Sequence, residues 1–171
     1  MLDDARTRIE IMSHSLDQTN IVAALSRARQ VEVPVCILAD MRQIDNRDPG
    51  SPQHEALGQL LDRGAEVRAI SLRDPRNNYP CLHAKAVIFD KCVLWCGSFN
   101  FTRQATYNIA LGHVTDCATA VHTVRTLFRR AWASAVEMRY SADTVGMLRF
   151  LEAAQEPRDL RPASFYGGAQ P

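Results

Sequence analysis

The sequence predicts an α/β fold, with a mixed β-sheet flanked by helices. Two observations lead to this prediction. Apolar segments with the spacing of strands alternate along the chain with segments whose apolar residues recur at helical spacing. Later, two apolar runs at 82–90 and 92–96 lie close together, as the strands of a hairpin do. Hairpin strands are antiparallel, whereas strands joined through a helix are parallel, so the sheet is expected to contain both kinds of pairing.

The first half of the chain contains five predicted elements. In chain order they are a strand at 8–14, a helix at 17–30, a strand at 33–40, a helix at 53–64 and a strand at 65–71. The strand at 33–40 is apolar at nearly every position up to Asp40, which is typical of a strand covered on both faces. Asp17 or Thr19 is expected to cap the first helix, and Gly64 is expected to end the second.

The second half begins with the hairpin and continues with three further elements. These are a strand at 107–114, a helix at 116–135 and a short helix within 142–154. Residues 155–171 contain much Pro and Gly and lack apolar periodicity, so an extended or disordered arm is expected there. We therefore divide the chain into a domain at 1–140 and a short helix with an irregular tail at 141–171.

The composition is that of a globular protein. Hydrophobic residues make up 46% and charged residues 23% of the 171 residues, which is enough for a sizeable core. No apolar run approaches the ~18–20 residues that a membrane span requires, and the charged N-terminus lacks the apolar segment of a secretory signal. A net charge of only +1 excludes a general attraction for polyanions, so binding to nucleic acid or anionic lipid would need a local basic patch.

The cysteines and other potential ligands show no metal-site pattern. The five cysteines are an odd number, and none has the paired spacing of a zinc finger. Cys36, Cys92 and Cys96 lie in apolar runs and are expected in the core. The expected location is a reducing intracellular compartment, either the cytoplasm or an organelle matrix. No group of Asp, Glu, His or Cys has the spacing of metal ligands, so we expect neither a metal nor another cofactor.

The stretch LHAKAVIFDKCVLWCGSFNFT, residues 82–102, carries polar residues at fixed places within the predicted hairpin. In a strand at 82–90, His83 and Lys85 would point to the same face, with about 7 Å between their Cα atoms. An imidazole that attacks or protonates, beside an ammonium that holds oxygens, suits a tetrahedral anion such as phosphate. The pair therefore indicates a site for chemistry on a phosphate group.

The second strand of the hairpin ends in Gly97-Ser98-Phe99-Asn100. Gly97 would permit a close approach of the backbone to a ligand. Ser98 and Asn100, two residues apart, are expected to donate hydrogen bonds into one pocket, which would stabilise a phosphate without a metal. Arg103, just past this turn, is the candidate contact for a neighbouring backbone phosphate.

The H-x-K-x4-D pattern of His83, Lys85 and Asp90, followed by G-S-x-N at 97–100, resembles the signature of the phospholipase D superfamily. The resemblance covers roughly residues 5–135. The segment GSFNFT is similar to the same segment in that superfamily's small single-motif bacterial endonucleases and in mitochondrial phospholipase-D-like enzymes. Membership would imply a two-step phosphodiester displacement, in which one histidine attacks phosphorus and a second protonates the leaving oxygen.

The resemblance also implies which residues act and in what assembly. It makes His83, Lys85 and Asp90 the candidate catalytic residues, with Asp90 expected to be a structural partner because it would lie on the opposite strand face from His83. The chain carries one motif and the chemistry needs two, so the resemblance implies a homodimer in which the two copies of His83 meet across a two-fold axis. The expected substrate is a nucleic acid or another phosphodiester. Alternatively, the partners are protein subunits of a larger complex.

Two features depart from the family pattern. The family carries a glutamate about a dozen residues past G-S-x-N that orients the catalytic histidine, and here Ala110 or Leu111 takes its place. The family also begins with a further strand and helix, part of which this sequence lacks before residue 5. The chain is therefore expected to be a fragment, a reduced family member, or a subunit that depends on partners.

Several other residues have both a functional and a structural interpretation. His14, after the first strand, would line the pocket or belong to the surface or core. A phosphate-binding stripe or a solvated helix face would be formed by Arg125, Arg129 and Arg130, of which the first two share one face of the helix. Tyr79 or Tyr107 would stack a base or serve in packing.

Three functions remain open from the sequence. The first is a metal-independent, endonuclease-like phosphodiesterase that acts through a phosphohistidine in a homodimer. The second is a catalytically impaired phospholipase D-like subunit with a structural or binding role in a larger assembly, which the missing glutamate favours. The third is a phospholipid phosphodiesterase, for which the chain shows neither an apolar anchor nor a basic surface.

Overall fold

The computed structural model describes residues 1–45, 50–72, 80–141 and 146–149. Within these ranges the chain forms eight strands and four α-helices. In chain order they are β1 (Ile9–Ser13), α1 (Thr19–Gln30), β2 (Val35–Asp40), α2 (Met41–Asp45), α3 (Pro52–Asp62), β3 (Glu66–Ile70), β4 (Lys85–Phe89), β5 (Val93–Gly97), β6 (Gly112–Thr115), α4 (Ala118–Ser134), β7 (Val136–Ser141) and β8 (Gly146–Arg149). Two short 3₁₀ turns lie at Leu2–Asp4 and Arg103–Tyr107.

The strands of the described chain form one mixed sheet in the order β6-β5-β4-β1-β2-β3-β7-β8. β1 pairs with β2, and β2 with β3, in parallel. Every other neighbouring pair in this sheet is antiparallel. The helices α1 and α3 lie in the connections between the parallel strands, as such connections require. The predicted α/β fold with a mixed sheet is confirmed.

Helices cover both faces of the sheet. One apolar core lies against α1 and α3 and includes Ile11 and Val87 from the central strands. The other lies against α4 and includes Met12, Ile88 and Phe128. Every residue of β2 is buried, as its continuous apolar run predicts. Among the helices of the described chain, none has the length and hydropathy needed to cross a bilayer.

The ends of two helices follow the sequence signals only in part. Neither Asp17 nor Thr19 caps α1, because its N-cap residue is Gln18 and no side chain bonds there. Asp17 instead accepts a hydrogen bond from the backbone N–H of Arg103 at 2.7 Å. Gly64 follows α3 with a φ of 81°, the left-handed conformation that favours glycine after a helix. The predicted cap was therefore wrong at the first helix, where a tertiary contact engages the aspartate, and right at the second.

The predicted hairpin is present, but its first strand is shorter than expected. β4 begins at Lys85, and it ends at Phe89 before a tight turn. The turn spans residues 90–92, because Phe89 pairs with Val93, and Asp90 and Lys91 in it have φ of 51° and 65°, a left-handed twist that suits a tight hairpin turn. The alternation predicted for residues 82–90 therefore holds only within residues 85–89.

The cysteines differ in burial. Cys36 lies buried in β2, as predicted, and Cys96 is partly buried in β5. Cys92 is exposed because it is the last residue of the hairpin turn, just before β5, so the prediction of a core position is wrong for it. All five cysteines fall within the described residues, and all five are free thiols.

The C-terminal part of the described chain departs most from the prediction. The strand predicted at 107–114 starts later, at Gly112, because residues 103–107 form a 3₁₀ turn. The helix predicted within 142–154 is wrong for residues 146–149, which form β8, and the rest of that stretch and the tail 155–171 lie outside the described residues. β7 has no counterpart among the predicted elements. Because β7 pairs with β3 and β8 pairs with β7, sheet pairing rather than local propensity determines both strands.

Candidate active site

The candidate site lies at one end of the central strands, where β1 and β2 end and β4 begins. β1 and β2 are parallel with Ser13 opposite Ala39, so the residues that follow, His14 and Asp40, are neighbours at this end. β4 is antiparallel to β1 with Lys85 opposite Ser13, which brings the residues before Lys85 to the same end. The sheet register therefore gathers three segments that are far apart in the sequence.

His83 and Lys85 both lie at this end, in different environments. His83 precedes β4 and is exposed, so its position does not follow from strand alternation as predicted. Lys85 is the first residue of β4, and only 5% of its surface is exposed. Its Nζ donates a hydrogen bond to the backbone carbonyl of His83 at 2.7 Å. The ammonium is therefore held against the segment that carries the imidazole.

The ammonium of Lys85 is a buried positive charge in the site. Burial lowers the pKa of Lys85, because the charged form loses hydration. The sulfur of Cys81 is close enough to oppose this shift when it is ionised. An ammonium has three N–H donors, and the hydrogen bond to His83 occupies one of them. The other donors are the groups with which Lys85 would hold phosphate oxygens.

The pKa of His83 is lowered by its surroundings. Partial burial of the ring is the largest cause, and the positive charges of Lys85 and of protonated His14 act in the same direction. The carboxylate of Asp40 opposes the shift. A lowered pKa keeps the imidazole neutral, and therefore nucleophilic, at more acidic pH than an unperturbed histidine.

His14 lies at the site and packs against His83. The two ring centroids are 5.1 Å apart, with an angle of 65° between the ring planes. The Nδ1 atom of His14 lies 3.2 Å from the backbone carbonyl oxygen of Leu82. With a proton on Nδ1 the ring donates to this carbonyl, and Nε2 then carries a free lone pair. Of the two interpretations open for His14, the structure favours the functional one.

Asp40 is a member of the site that the sequence analysis did not identify. It is only 1% exposed. Its Oδ2 accepts a hydrogen bond from the backbone N–H of Leu82 at 2.6 Å, and its Oδ1 accepts from the N–H groups of Arg42 and Gln43 at 3.1 and 3.2 Å. A signal was available, because an acid that ends a buried parallel strand lies at the sheet edge where sites form in α/β folds.

Gly97 and Ser98 contact the segment that leads into β6. A Cβ atom at position 97 would lie 2.3 Å from the carbonyl oxygen of Leu111, so the absence of a side chain lets two backbones meet. The N–H of Ser98 donates to that carbonyl at 2.9 Å, and the Ser98 Oγ accepts from the N–H of Leu111 at 3.0 Å. The close approach seen at Gly97 is thus to a strand, whereas the sequence predicted an approach to a ligand. The Ser98 hydroxyl still has its own proton to donate.

Asn100 and Arg103 differ in how they are bonded. The Oδ1 of Asn100 is buried without a hydrogen-bond partner among the described residues, an arrangement that costs about 1–3 kcal/mol when no partner is supplied. Rotation of the amide exchanges its oxygen and NH2 group, so either end can occupy this position. Arg103 is exposed, and its Nε donates to the backbone carbonyl of Asp17 at 3.2 Å. Asn100 therefore offers a buried polar group without a partner, whereas Arg103 offers an exposed guanidinium that is partly engaged by Asp17.

Asp90 lies at the opposite end of β4 from His83. Its carboxylate accepts hydrogen bonds from the backbone N–H groups of Arg6, Thr7 and Arg8 at distances from 2.7 to 3.1 Å. Burial alone would raise the pKa of Asp90, but these hydrogen bonds outweigh burial and lower the pKa to about 2. Asp90 anchors the segment before β1 and is separated from His83 by the length of the strand.

Ala110 occupies the region where the family resemblance places a glutamate. It is half-buried between the second 3₁₀ turn and β6, and it precedes Leu111, whose backbone is bonded to Ser98. Residues 103–114 contain neither Asp nor Glu. This segment therefore supplies no carboxylate to orient His83.

The remaining residues with both a functional and a structural interpretation are arginines of α4 and two tyrosines. Arg125 donates from Nε to Glu10, a carboxylate that is only 3% exposed. Together with Arg129, it lines a cavity of about 350 Å³ against α4. Tyr107 is 90% exposed, and Tyr79 lies outside the described residues.

Three potential metal ligands meet beside His83. The ligand atoms of His14, Asp40 and Cys81 lie within 4.8 Å of one another. Their positions in the sequence lack metal-ligand spacing because the three residues come from the ends of β1 and β2 and from the segment before β4. The sequence prediction concerned spacing along the chain, whereas the sheet brings these three residues together in space.

Comparison with known proteins identifies the family. Residues 1–132 match the family model described as "Cardiolipin synthase, PLD-like domain". No curated protein matches the chain.

Solved structures agree with this assignment. The chain is similar to Nuc from Salmonella typhimurium, a phospholipase D family member, with a TM-score of 0.69 and 26% identity over 81% of this chain and 86% of that one. It is also similar to NucT from Helicobacter pylori, with a TM-score of 0.70 and 20% identity over 80% and 85% of the two chains. A polyphosphate kinase from Porphyromonas gingivalis shares the fold, with a TM-score of 0.62 and 14% identity over 91% of this chain but 22% of that one. Because the family model spans residues 1–132, which is most of the chain, this chain belongs to the phospholipase D-like domain family.

Proposed function

We propose that the chain is a phosphodiesterase of the nuclease type, with His83 as its nucleophile. The observation that carries the proposal is the exposed imidazole of His83 beside the buried ammonium of Lys85, which bonds to the His83 backbone. The imidazole is accessible to a substrate, and the cation lies where a phosphate oxygen would need it. The lowered pKa of His83 favours the neutral form that can attack phosphorus.

The reaction proceeds in two displacements. A lone pair on a ring nitrogen of His83 forms a bond to phosphorus, and the bond from phosphorus to the leaving oxygen breaks. That oxygen takes a proton from a second imidazole. Water then attacks phosphorus, gives its proton back to the second imidazole, and displaces His83 as the phosphorus–nitrogen bond breaks. Lys85 neutralises charge on the non-bridging oxygens in both steps.

The second imidazole needs a position that His14 does not have. In an in-line displacement, the attacking and leaving groups lie on opposite sides of phosphorus. His14 packs against His83 with 5.1 Å between ring centroids, so the two rings are in contact and leave no room for a phosphorus atom between them. We therefore assign the proton donor to His83 of a second copy, related by a two-fold axis.

An exposed apolar strip supports this dimer. Tyr107, Ile109, Leu111 and Val114 are 90%, 103%, 80% and 49% exposed, next to the turn that holds Ser98. Apolar side chains exposed together on one segment are typical of a surface that another molecule covers. The strip adjoins the motif turn, so a contact there would bring two copies of the site close together.

A nucleic acid is the preferred substrate class over a phospholipid. The similarity to Nuc covers 86% of that chain at 26% identity, and the motif segment GSFNFT follows the pattern of small nucleases. The alternative, a phospholipid substrate, is suggested by the description of the matching family as "Cardiolipin synthase, PLD-like domain".

The proposal is tested by trapping the covalent intermediate. The protein is mixed with ³²P-labelled single-stranded DNA, duplex DNA or RNA, and in parallel with labelled phospholipid vesicles, then quenched in alkali. We expect an alkali-stable phosphohistidine with nucleic acid, and its loss in His83→Gln but not in the control His113→Gln, which changes an exposed histidine of β6. Wild-type turnover by His83→Gln would contradict the assignment. Label transferred from phospholipid alone would replace the nuclease with the lipid phosphodiesterase.

A catalytically impaired subunit is the second candidate, and one observation favours it. Position 110 carries alanine, and residues 103–114 contain no carboxylate to accept the second N–H of His83. In a histidine-dependent reaction, loss of the orienting carboxylate costs on the order of 10⁴-fold in rate. Absence of turnover on every phosphodiester, with retained dimerisation, would support this candidate.

A further inference from the structure

The surroundings of Leu82 bring together a nitrogen, an oxygen and a sulfur ligand. His14 contacts the carbonyl of Leu82, Asp40 accepts from its N–H, and Cys81 is its neighbour in the chain. One ligand atom from each of the three residues lies within 4.8 Å of the other two. His14 and Cys81 are half-buried, and Asp40 is buried. The cluster is thus partly shielded from water and opens beside His83, whose ring is 5.1 Å from that of His14.

The chemistry of this set selects for zinc-like ions. Zinc takes thiolate, imidazole and carboxylate ligands at about 2.0–2.3 Å, which places tetrahedral ligand atoms about 3.3–3.7 Å apart. In the structure the three ligand atoms lie within 4.8 Å of one another, so the side chains would need to move by about an ångström to reach tetrahedral distances. Magnesium and calcium prefer sites made entirely of oxygen, so a thiolate and an imidazole select against them.

Each ligand retains the electron pair that coordination needs. Asp40 accepts two hydrogen bonds at Oδ1 and one at Oδ2, so Oδ2 keeps a free lone pair. A His14 that donates from Nδ1 to the Leu82 carbonyl presents an unprotonated Nε2, and a backbone carbonyl is a common partner for the second nitrogen of a metal-bound histidine. The nearby ammonium of Lys85 disfavours a cation, whereas the Asp40 carboxylate and a Cys81 thiolate offset it.

We propose that His14, Asp40 and Cys81 bind a zinc-class divalent ion, that the ring of His83, which contacts His14 but lies outside the cluster, turns to complete the coordination, and that the bound ion inhibits the enzyme. An imidazole that donates its lone pair to a metal has none left for phosphorus, so the ion and the phosphodiester compete for His83. The ion is thus not a cofactor. The inhibitory half of this inference rests on the proposed phosphodiesterase function, whereas the binding half does not.

The binding half is tested with cobalt as a spectroscopic substitute for zinc. Protein stripped with EDTA and dialysed is titrated with Co²⁺, and the thiolate-to-cobalt charge-transfer band in the near ultraviolet is followed. We expect one equivalent to bind, zinc to displace it, and excess Mg²⁺ to leave it in place. Cys81→Ser should abolish the band, and His14→Gln should weaken binding by roughly 10- to 100-fold. The controls Cys117→Ser and His113→Gln change exposed residues outside the cluster and should bind as the wild type does.

Two results would overturn the site. One is the absence of a charge-transfer band in the wild-type protein, and the other is a band of equal strength in Cys81→Ser. Circular dichroism of Cys81→Ser and His14→Gln confirms that a loss of binding does not reflect unfolding. The site would stand even if the protein cleaved no phosphodiester, and only the proposed function would then be contradicted.

The inhibitory half is tested with the nuclease assay. Zinc should lower the rate of the wild-type enzyme, EDTA should restore or raise it, and Cys81→Ser should be active with at least about 10-fold less sensitivity to zinc. Cys117→Ser should remain as sensitive as the wild type. Loss of activity in EDTA that zinc restores would show a catalytic metal instead and would overturn the inhibitory role.

Discussion

The carboxylate of Asp40 accepts a hydrogen bond from the backbone N–H of Leu82 at 2.6 Å. The backbone carbonyl oxygen of Leu82 lies 3.2 Å from His14 Nδ1. Both polar groups of Leu82 are therefore engaged by residues that end the two parallel strands β1 and β2. The residue after Leu82 is His83. The orientation of this candidate nucleophile therefore depends on how the ends of β1 and β2 hold Leu82, although His83 itself lies outside the strands.

Asp40→Asn should destabilise the protein and reduce activity. An amide retains one acceptor oxygen, so either Leu82 or the N–H groups that begin α2 would face an NH2 group and lose their acceptor. We expect a loss of about 1–3 kcal/mol in the free energy of unfolding, measured by urea titration, because a buried N–H would be left unpaired. Asp116→Asn, at an exposed position, should change stability by less than about 0.5 kcal/mol. Equal stability of the two variants would contradict a structural role for the Asp40–Leu82 hydrogen bond.

Lys85→Met should raise the pKa of His83. Burial is the larger cause of the lowered pKa and persists in the variant, but the second cause, the ammonium, is removed. The pKa of His83 is measured by NMR titration of its imidazole resonance. A pH profile of activity would not serve, because the variant would lack the cation that holds phosphate. Lys91→Met, at the far end of β4, is the matched control and should leave the His83 titration unchanged.

The lowered pKa of His83 predicts the pH dependence of the proposed reaction. Only the neutral imidazole attacks, and protonation below its pKa removes it. The acid limb of kcat/KM should therefore have its midpoint below 6.5, the ordinary value for histidine. A midpoint above 6.5 would mean that His83 is not the group that must be deprotonated in the free enzyme.

Asp90 should contribute stability that is lost in acid. Its pKa is lowered from 3.8 to about 2 in the folded protein, so the unfolded chain takes up the proton first as the pH falls. The contribution is complete above pH 3.8 and declines towards pH 2. The urea midpoint of the wild type should therefore fall more steeply across this window than that of Asp90→Asn. Asp62→Asn, at an exposed helix end, should retain the wild-type slope, and a wild-type slope in Asp90→Asn would contradict the linkage.

Ala110→Glu should increase phosphodiesterase activity. The substitution returns a carboxylate to the segment whose next residue is bonded to Ser98, and we expect it to accept the second N–H of His83 as the family resemblance implies. We expect a gain of at least about 10-fold in kcat, a small part of what an orienting carboxylate provides elsewhere. Ala110→Gln has a similar volume without the charge and should give little gain. Equal rates for all three proteins would show that position 110 does not orient His83.

Leu111→Glu should convert the proposed homodimer to a monomer and abolish activity. The side chain is 80% exposed in a single chain, so a charge there should leave the fold intact but oppose burial in an interface. Light scattering reports the mass, and the nuclease assay reports the shared site. Val31→Glu places the same charge at a 68% exposed position after α1 and should remain dimeric. An active monomeric wild type would refute the two-histidine site.

The sequence by itself determined the fold class, the parallel core strands and the motif pair His83 and Lys85. It could do so because these features depend on local patterns. The buried run of β2 is continuous along the chain, and the positive φ of Gly64 is required by the helix that it follows. The exposed position of Cys92 was mispredicted, because an apolar run does not reveal where a hairpin turns.

Only the tertiary structure decided which residues surround that pair. Asp40 and His14 become neighbours through the register of two parallel strands, and Cys81 joins them because β4 pairs antiparallel with β1. Asp90 is held by N–H groups more than eighty positions earlier in the chain. Sheet pairing is a long-range choice among many registers, and its free energy comes from side chains that pack across strands rather than from residues near the motif. The candidate nucleophile is therefore identified by the linear motif, whereas its orientation and the candidate metal ligands beside it follow from the way the sheet is assembled.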